Sequence, residues 1–123
     1  MILSSKIKEF IRDHALESNP MECCGLIVEK IDKSIIPIKC ENDALDKINF
    51  FRISSLDYLR ASREGKITAS YHSHVEYNQF SEFDKRTSRG LKLTFILYVI
   101  SENAFLEYDP SLGAKKDNRF LES

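Results

Sequence analysis

Residues 71–84 read Tyr-His-Ser-His-Val-Glu-Tyr-Asn-Gln-Phe-Ser-Glu-Phe-Asp, and this stretch decides the fold that we expect. The stretch begins inside the segment 66–74, in which one set of residues (Ile67, Ala69, Tyr71 and Ser73) alternates with a polar set (Thr68, Ser70, His72 and His74). This alternation is typical of a β-strand. Residues two apart on a strand project from the same face. His72 and His74 therefore direct both imidazoles toward one point, which is the geometry that two nitrogen ligands of a single metal ion require.

A carboxylate follows the two histidines within reach of a short loop. Ser81 is predicted to open a helix that ends near Gly90, which places Asp84 in the first helical turn. The helix N-terminus favours and orients a carboxylate there. Because a catalytic zinc ion takes three protein ligands and leaves a fourth position to water, the sequence predicts one zinc ion per chain, held by His72, His74 and Asp84.

Each part of this pattern also has an ordinary structural interpretation. Two histidines can alternate on a strand face without binding metal, and Ser81-x-x-Asp84 is close to a helix capping box. A zinc-activated water needs a general base, and Glu22, at the start of the first predicted strand, is our candidate. Without further support, Glu22 would be taken for an exposed carboxylate after a turn. Capping and catalysis are compatible at Ser81, because a capped turn fixes the position of a ligand.

Taken in order, Glu22, His72-x-His74 and Ser81-x-x-Asp84 resemble the JAMM motif of the JAB/MPN zinc metalloproteases. The resemblance implies that the two histidines and the aspartate bind zinc. It also implies that Glu22 is the base that activates a water. Ser81 would then donate a hydrogen bond to the oxyanion that forms during hydrolysis.

The likeness extends over most of the chain, and two positions depart from it. Residues 20–28, Pro-Met-Glu-Cys-Cys-Gly-Leu-Ile-Val, are similar to the strand that carries the family's glutamate. Val75 stands where the family commonly has proline, and six residues rather than the usual seven separate His74 from Ser81. Since loop closure depends only weakly on length, we expect the shorter loop still to bring Asp84 to the metal.

The resemblance implies an α/β fold of three layers, in which helices flank a mixed, largely antiparallel sheet, as in cytidine deaminases. The implied reaction is hydrolysis of a peptide or isopeptide amide bond. The chain most resembles family members that form the N-terminal domain of lambda-like phage tail-assembly proteins. This likeness implies a role in tail assembly or in the cleavage of cell-wall peptides. A deconjugating isopeptidase for a ubiquitin-like or sulfur-carrier protein, and an inert scaffold of the MPN type, are the alternatives.

Composition limits the remaining function classes. The 123 residues are expected to form one domain, 1–123. The resemblance implies that such tail proteins commonly add an NlpC-type cysteine peptidase domain, which we do not expect in this chain. The expected partners are therefore a separate NlpC-type peptidase or tail proteins, in addition to a peptide or protein substrate. A net charge of -1 with a pI near 6.3 gives no sign of nucleic-acid binding. With no signal peptide or membrane span, we expect a cytoplasmic or virion-associated protein.

The rest of the pattern predicts the order of helices and strands. Three cysteines, two of them adjacent at Cys23 and Cys24, favour reduced thiols that pack in the core. His14 is expected to be partly exposed in the first helix, and Leu56, Leu59 and Tyr58 are expected to face the core. The first half of the chain is predicted to form a helix over 4–17, a hairpin of strands 22–31 and 35–40, a loop over 41–49 and a short strand over 50–53. Pro37 indicates that the second strand of the hairpin lies at a sheet edge or carries a bulge. The second half is predicted to form a helix from Ser54 to Gly65, a central strand over 91–100, a strand over 104–108 and a loop-rich tail from Asp109.

Overall fold

The computed structural model describes residues 3–112 and the backbone of residues 118–120. Two short 3-10 turns, Ile100–Glu102 and Pro110–Leu112, flank the fifth strand. The helices and strands are α1 (Ser5–Ser18), β1 (Cys24–Glu29), β2 (Ile35–Cys40), α2 (Ser55–Glu64), β3 (Lys66–His74), α3 (Glu82–Leu91), β4 (Thr94–Val99), β5 (Ala104–Tyr108) and β6 (Asn118–Phe120).

The strands form one six-stranded sheet in the order β2-β1-β3-β4-β5-β6. Strands β3 and β4 run parallel, and each of the other neighbouring pairs is antiparallel, so the mixed, largely antiparallel sheet is confirmed. Strand β2 lies at an edge, as Pro37 predicted, because proline has no N–H to offer a further strand. None of the helices in the described residues is long and apolar enough to cross a membrane.

Helices cover both faces of the sheet, which gives the three predicted layers. Helix α1 buries Ile7 and Ile11 against Tyr71 and Ile96, on one face. Helix α2 places Ala61 against the other face, where the core contains Leu26, Val28, Phe95 and Leu97. Because β1, β3 and β4 are covered on both sides, their residues are buried almost without interruption.

Local sequence signals set the ends of the helices and the hairpin. The side chains of Ser4 and Ser54 cap α1 and α2 by accepting hydrogen bonds from the third backbone N–H that follows each of them. Between β1 and β2, Lys33 adopts a φ of 74° and Asp32 accepts a hydrogen bond from the Ser34 N–H. These turns and caps confirm the predicted hairpin and the start of α2.

Residues 50–53 do not form the predicted strand. The N–H of Arg52 donates to the Asn42 side chain, and the carbonyl of Arg52 accepts from Asp43. These backbone groups are therefore satisfied within the loop, not by a neighbouring strand. Phe51 and Ile53 still alternate inward and are buried, which explains the strand-like pattern.

The prediction that Leu56 and Leu59 face the core is wrong. Both are about half exposed, whereas Tyr58 packs on the sheet as predicted, together with Ala61. The helix carries two apolar stripes on opposite sides, and its pattern alone does not say which one meets the sheet.

Two further predictions are corrected, at His14 and at β4, and the predicted tail gains a strand. His14 is buried, not partly exposed, and its Nδ1 lies 2.7 Å from the Tyr71 hydroxyl. Strand β4 is shorter than the predicted 91–100, since Leu91 belongs to α3. The tail that is predicted to be loop-rich also contains β6, which pairs with β5, while residues 113–117 and 121–123 lie outside the described part of the chain.

Candidate metal centre

His72 lies in the middle of the sheet and has no exposed surface. Its ring stacks on Phe51 with centroids 4.4 Å apart, and the rings of Phe80 and Phe95 lie 5.9 Å away. These aromatic side chains hold the imidazole in one orientation. The Nε2 atom faces Asp84, while Nδ1 has no hydrogen-bond partner among the described residues.

His74 projects from the same face of β3 and is fixed by its own loop. Its Nδ1 atom lies 3.0 Å from the carbonyl oxygen of Tyr77. Because a carbonyl oxygen can only accept, Nδ1 carries the proton and donates it. In the neutral ring the lone pair of Nε2 is then free, as a metal-binding histidine requires.

Asp84 is positioned by the first turn of α3. Ser81 Oγ accepts a hydrogen bond from the Asp84 N–H, and Asp84 Oδ2 accepts one from the Ser81 N–H, each at 3.0 Å. These two hydrogen bonds form the capping box that the Ser81-x-x-Asp84 spacing predicts. It also aims the carboxylate at the histidines, since the same Oδ2 atom faces both rings.

The histidines and the aspartate converge at distances that suit a zinc ion. Asp84 Oδ2 lies 3.1 Å from His72 Nε2 and 3.5 Å from His74 Nε2. Ligand atoms about 2.0–2.1 Å from a tetrahedral zinc ion are roughly 3.3 Å apart, so these separations fit such an ion. The six-residue loop between His74 and Ser81 is therefore long enough to return Asp84 to the strand.

Glu22 completes the cluster from a third element, the segment just before β1. Its Oε2 atom lies 3.6 Å from His74 Nε2, and its side chain is only 6% exposed. Glu22 is therefore not the exposed carboxylate that its position after a turn suggests when the family resemblance is left aside. Oε1 of Glu22 is buried and has no hydrogen-bond partner among the described residues, so it is available to a water or to a substrate.

The burial of four ionisable groups together perturbs their pKa values in different directions. Burial would raise the pKa of Asp84, but His72 and its hydrogen bond lower it well below the usual range. Burial lowers the pKa of His72, whereas hydrogen bonding to Asp84 and the charge of Glu22 overcome burial at His74 and raise its pKa. Burial, reinforced by the charge of Asp84, raises the pKa of Glu22 to about 8.

Two carboxylates are thus close enough to join the histidines around a metal. Glu22, His72 and His74 offer ligand atoms within 4.8 Å of one another. Asp84 approaches both rings more closely than Glu22 approaches His74, and its low pKa keeps it ionised, as a ligand must be. Both carboxylates are therefore within reach of a metal ion held by the two histidines, and Asp84 is the nearer of the two.

Asn42 is a supporting residue that the sequence did not reveal. Its Nδ2 donates to the carbonyl oxygens of Glu22 and Phe50, each at 2.9 Å, and its Oδ1 accepts from the N–H groups of Ala44 and Arg52. The side chain thereby ties the loop after β2 to the segment that carries Glu22. Residues 41–49 show no periodicity, and an asparagine in a loop usually makes local turns, so only the fold exposes this role.

The cluster opens onto the surface through a cleft of about 270 Å³, which we call the cluster cleft. Glu22 and His74 lie at its base, and Ser81 lies at its side. Ser81 accepts a hydrogen bond at Oγ, so its own hydroxyl proton remains available to a bound molecule. Further lining residues are Ile48, Asn49, Val75, Glu76 and Tyr77.

The cysteines do not add a second reactive centre. Cys23, Cys24 and Cys40 are reduced and buried. Burial raises the pKa of Cys23 and of Cys40 to about 12 and raises that of Cys24 further above its usual value. A buried thiol with a raised pKa is a poor nucleophile, so the prediction that these residues serve packing agrees with their surroundings.

The profile of a family described as "Prokaryotic homologs of the JAB domain" matches residues 4–110. The chain belongs to this family. The resemblance to JAB/MPN proteins is therefore confirmed, and the α/β fold with it. The match covers every residue of the cluster and most of the described part of this JAB domain.

Individual relatives agree with the family assignment. Over 84 residues the JAB domain is 32% identical to the tail tip assembly protein K of Escherichia phage N15, and this match takes in 68% of the chain. The same match spans 34% of the phage protein's length. The predicted likeness to a phage tail-assembly protein is thus confirmed, over about a third of that relative.

Solved structures resemble the JAB domain at low sequence identity. The solution structure of protein DSY2949 from Desulfitobacterium hafniense has a TM-score of 0.69 at 17% identity, and the match covers 95% of this chain and 87% of that one. A JAB1/MPN domain protein from Archaeoglobus fulgidus has a TM-score of 0.48 at 15% identity, with 93% and 89% of the two chains covered. At such identities the first likeness concerns the fold alone.

Proposed function

We propose that this JAB domain is a zinc-dependent peptidase that hydrolyses a peptide or isopeptide amide bond. The observation that carries the proposal is the convergence of Asp84 Oδ2 on both histidine Nε2 atoms, at 3.1 and 3.5 Å, beside an open cleft. His72, His74 and Asp84 would hold the metal. Zinc bound there supplies a Lewis acid and lowers the pKa of a water in its open position to about 7.

Glu22 and Ser81 supply the remaining groups that amide hydrolysis needs. Glu22 faces the cleft with a buried oxygen that has no partner among the described residues, so it can take the proton of the attacking water and deliver it to the leaving amine. Ser81 can donate its hydroxyl hydrogen bond to the oxyanion, a contribution of about 3 kcal/mol where the geometry matches known donors. Aromatic packing around His72 keeps the set rigid.

The family relative suggests where such a peptidase acts. A tail tip assembly protein of a phage is 32% identical over 84 residues, and we extend its setting to this chain. The substrate is then a tail protein or a cell-wall peptide, and the partners are tail proteins or a separate NlpC-type peptidase. In that setting the protein is made in the cytoplasm of the infected host and can become part of the virion.

The metal assignment is tested by counting zinc per chain. Purified wild type, Glu22→Gln, Asp84→Asn and His14→Gln are loaded with zinc, dialysed and analysed by atomic emission. Wild type, Glu22→Gln and His14→Gln should retain one zinc ion, because His14 is a buried histidine outside the cluster. Asp84→Asn should lose it while keeping most of its fold, since asparagine still accepts the Ser81 hydrogen bond. Equal zinc in Asp84→Asn and wild type would overturn the ligand set.

The base assignment is tested by hydrolysis of defined substrates. Zinc-loaded wild type and Glu22→Gln are incubated with purified cell-wall stem peptides, with phage tail proteins and with a synthetic peptide library, and the products are read by mass spectrometry. Glu22→Gln should lose turnover by about 10²–10⁴-fold, the usual range for a general base. Full turnover by that variant would refute the role of Glu22, and no cleavage by zinc-loaded wild type would favour an inert scaffold.

A further inference from the structure

A groove with a mostly apolar surface lies beside the cluster cleft and is not explained by the core. Its lining combines Ala44, Leu45, Phe50, Phe51 and Phe83 with the charged residues Asp43, Asp46 and Arg52. The groove has a volume of about 680 Å³. Phe50 and Phe83 form one wall with ring centroids 5.4 Å apart, and they remain 43% and 41% exposed. Leu45 at its rim is fully exposed. Apolar side chains grouped on a surface in this way commonly mark a binding site.

The groove and the cluster cleft are lined by residues that are neighbours in the chain. Ile48 and Asn49 line the cleft, and the next residue, Phe50, lines the groove. On the other side, Phe83 lines the groove between Ser81 and Asp84 in the chain. An extended peptide advances about 3.3 Å per residue. A substrate whose amide bond lies at the base of the cleft therefore has a neighbouring side chain within reach of the groove.

The groove is built into the site. Phe51 lines the groove and is buried, and its ring stacks on His72 at 4.4 Å. Asn42 fixes the wall, because it holds the carbonyl oxygens of both Phe50 and Glu22. The wall and the segment that carries the proposed base are thus set by one side chain. A wall fixed before the substrate arrives costs less conformational entropy on binding.

We propose that this groove is a specificity subsite for a bulky apolar side chain of a peptide substrate, one or two residues from the amide bond held in the cleft. The proposal rests on the proposed peptidase function. It names a substrate class, peptides with Phe, Tyr, Leu or Met near the bond that is cleaved, and it makes Phe50 and Phe83 the residues that determine that preference.

The test separates binding preference from hydrolysis. Zinc-loaded Glu22→Gln is used to select from a random synthetic heptapeptide library, and the retained peptides are sequenced. Bulky apolar residues should be enriched about tenfold at one position, which is the discrimination that an apolar pocket ordinarily gives. Adding Phe50→Ser or Phe83→Ser should abolish the enrichment, and adding Phe50→Lys should shift the preference toward Asp and Glu.

A matched control removes an apolar side chain of similar exposure from another surface. Leu59 on α2 is 50% exposed and lies outside both cavities, so Leu59→Ser should keep the enrichment. An even residue distribution at every position, or enrichment that survives both serine variants, would overturn the subsite. Dimers that disappear with Phe50→Ser, without any peptide preference, would also overturn it and assign the groove to self-association. Cleavage by wild type is scored separately and judges the peptidase proposal alone.

Discussion

Substitution of Gly25 by alanine should destabilise the protein, because an added methyl group has no room at this position. Gly25 lies on β1 directly opposite Tyr71 on β3. A Cβ atom at this position would overlap the Tyr71 ring and lie 2.5 Å from the carbonyl oxygen of Ile38. The ring cannot easily swing away, because it is fully buried and its hydroxyl lies 2.7 Å from His14 Nδ1.

The magnitude follows from what must move. One extra methyl group in a packed core commonly costs about 1–3 kcal/mol, and here both a locked ring and a strand backbone must shift, so we expect about 3 kcal/mol. Unfolding entropy near 2.1 cal/mol/K per residue gives about 0.26 kcal/mol/K for 123 residues. The melting temperature of Gly25→Ala should therefore fall by about 12 °C.

The matched control is Gly90→Ala near the end of α3. A Cβ atom there would meet nothing within 4 Å, so the substitution should stabilise the protein by about 0.4–1 kcal/mol. Both variants are compared with wild type by calorimetry and by urea denaturation monitored by circular dichroism. A Gly25→Ala protein within 1 kcal/mol of wild type, or a Gly90→Ala protein that loses as much as Gly25→Ala, would refute the packing argument.

Three other predictions concern stability and reactivity. Burial, helped by the charge of Lys39, lowers the pKa of His14 to about 4. Below about pH 6.5 the unfolded chain therefore binds more protons at this position than the folded chain does. Measured by urea denaturation, the free energy of unfolding of wild type should fall relative to that of His14→Gln by up to about 2 kcal/mol from pH 7 to pH 5. A difference that stays constant with pH would contradict this. Ser81→Ala should lose about 1 kcal/mol of stability through the cap, and Ser81→Thr should restore most of it, whereas equal losses would argue against capping. The buried cysteine thiols should react with Ellman's reagent at least about 100-fold more slowly in the native protein than in guanidinium, and fast labelling would show that they are accessible.

Individual residues show which features of the structure could be predicted from the sequence pattern. The alternation around His72 and His74, the capping signal at Ser81 and the turn at Asp32 are local features, and the structure contains all of them. Local signals survive because they depend on neighbours in the chain, which folding does not change. The choice of the α2 stripe that meets the sheet and the burial of His14 depend on distant elements. The residue pattern within one helix therefore predicts neither of them correctly.

The sequence by itself determined the family, the order of most elements and the five positions that resemble a JAMM motif, since these need only residue types and their spacing. Tertiary structure alone decided that Glu22 comes within 3.6 Å of His74, that Asn42 ties its segment to the loop, and that Phe50 and Phe83 meet beside the cleft. Residues from three separate segments become neighbours only when the sheet and its two layers of helices form. No periodicity within a single segment records such a contact, because the pairing of distant elements is fixed by packing across the whole fold.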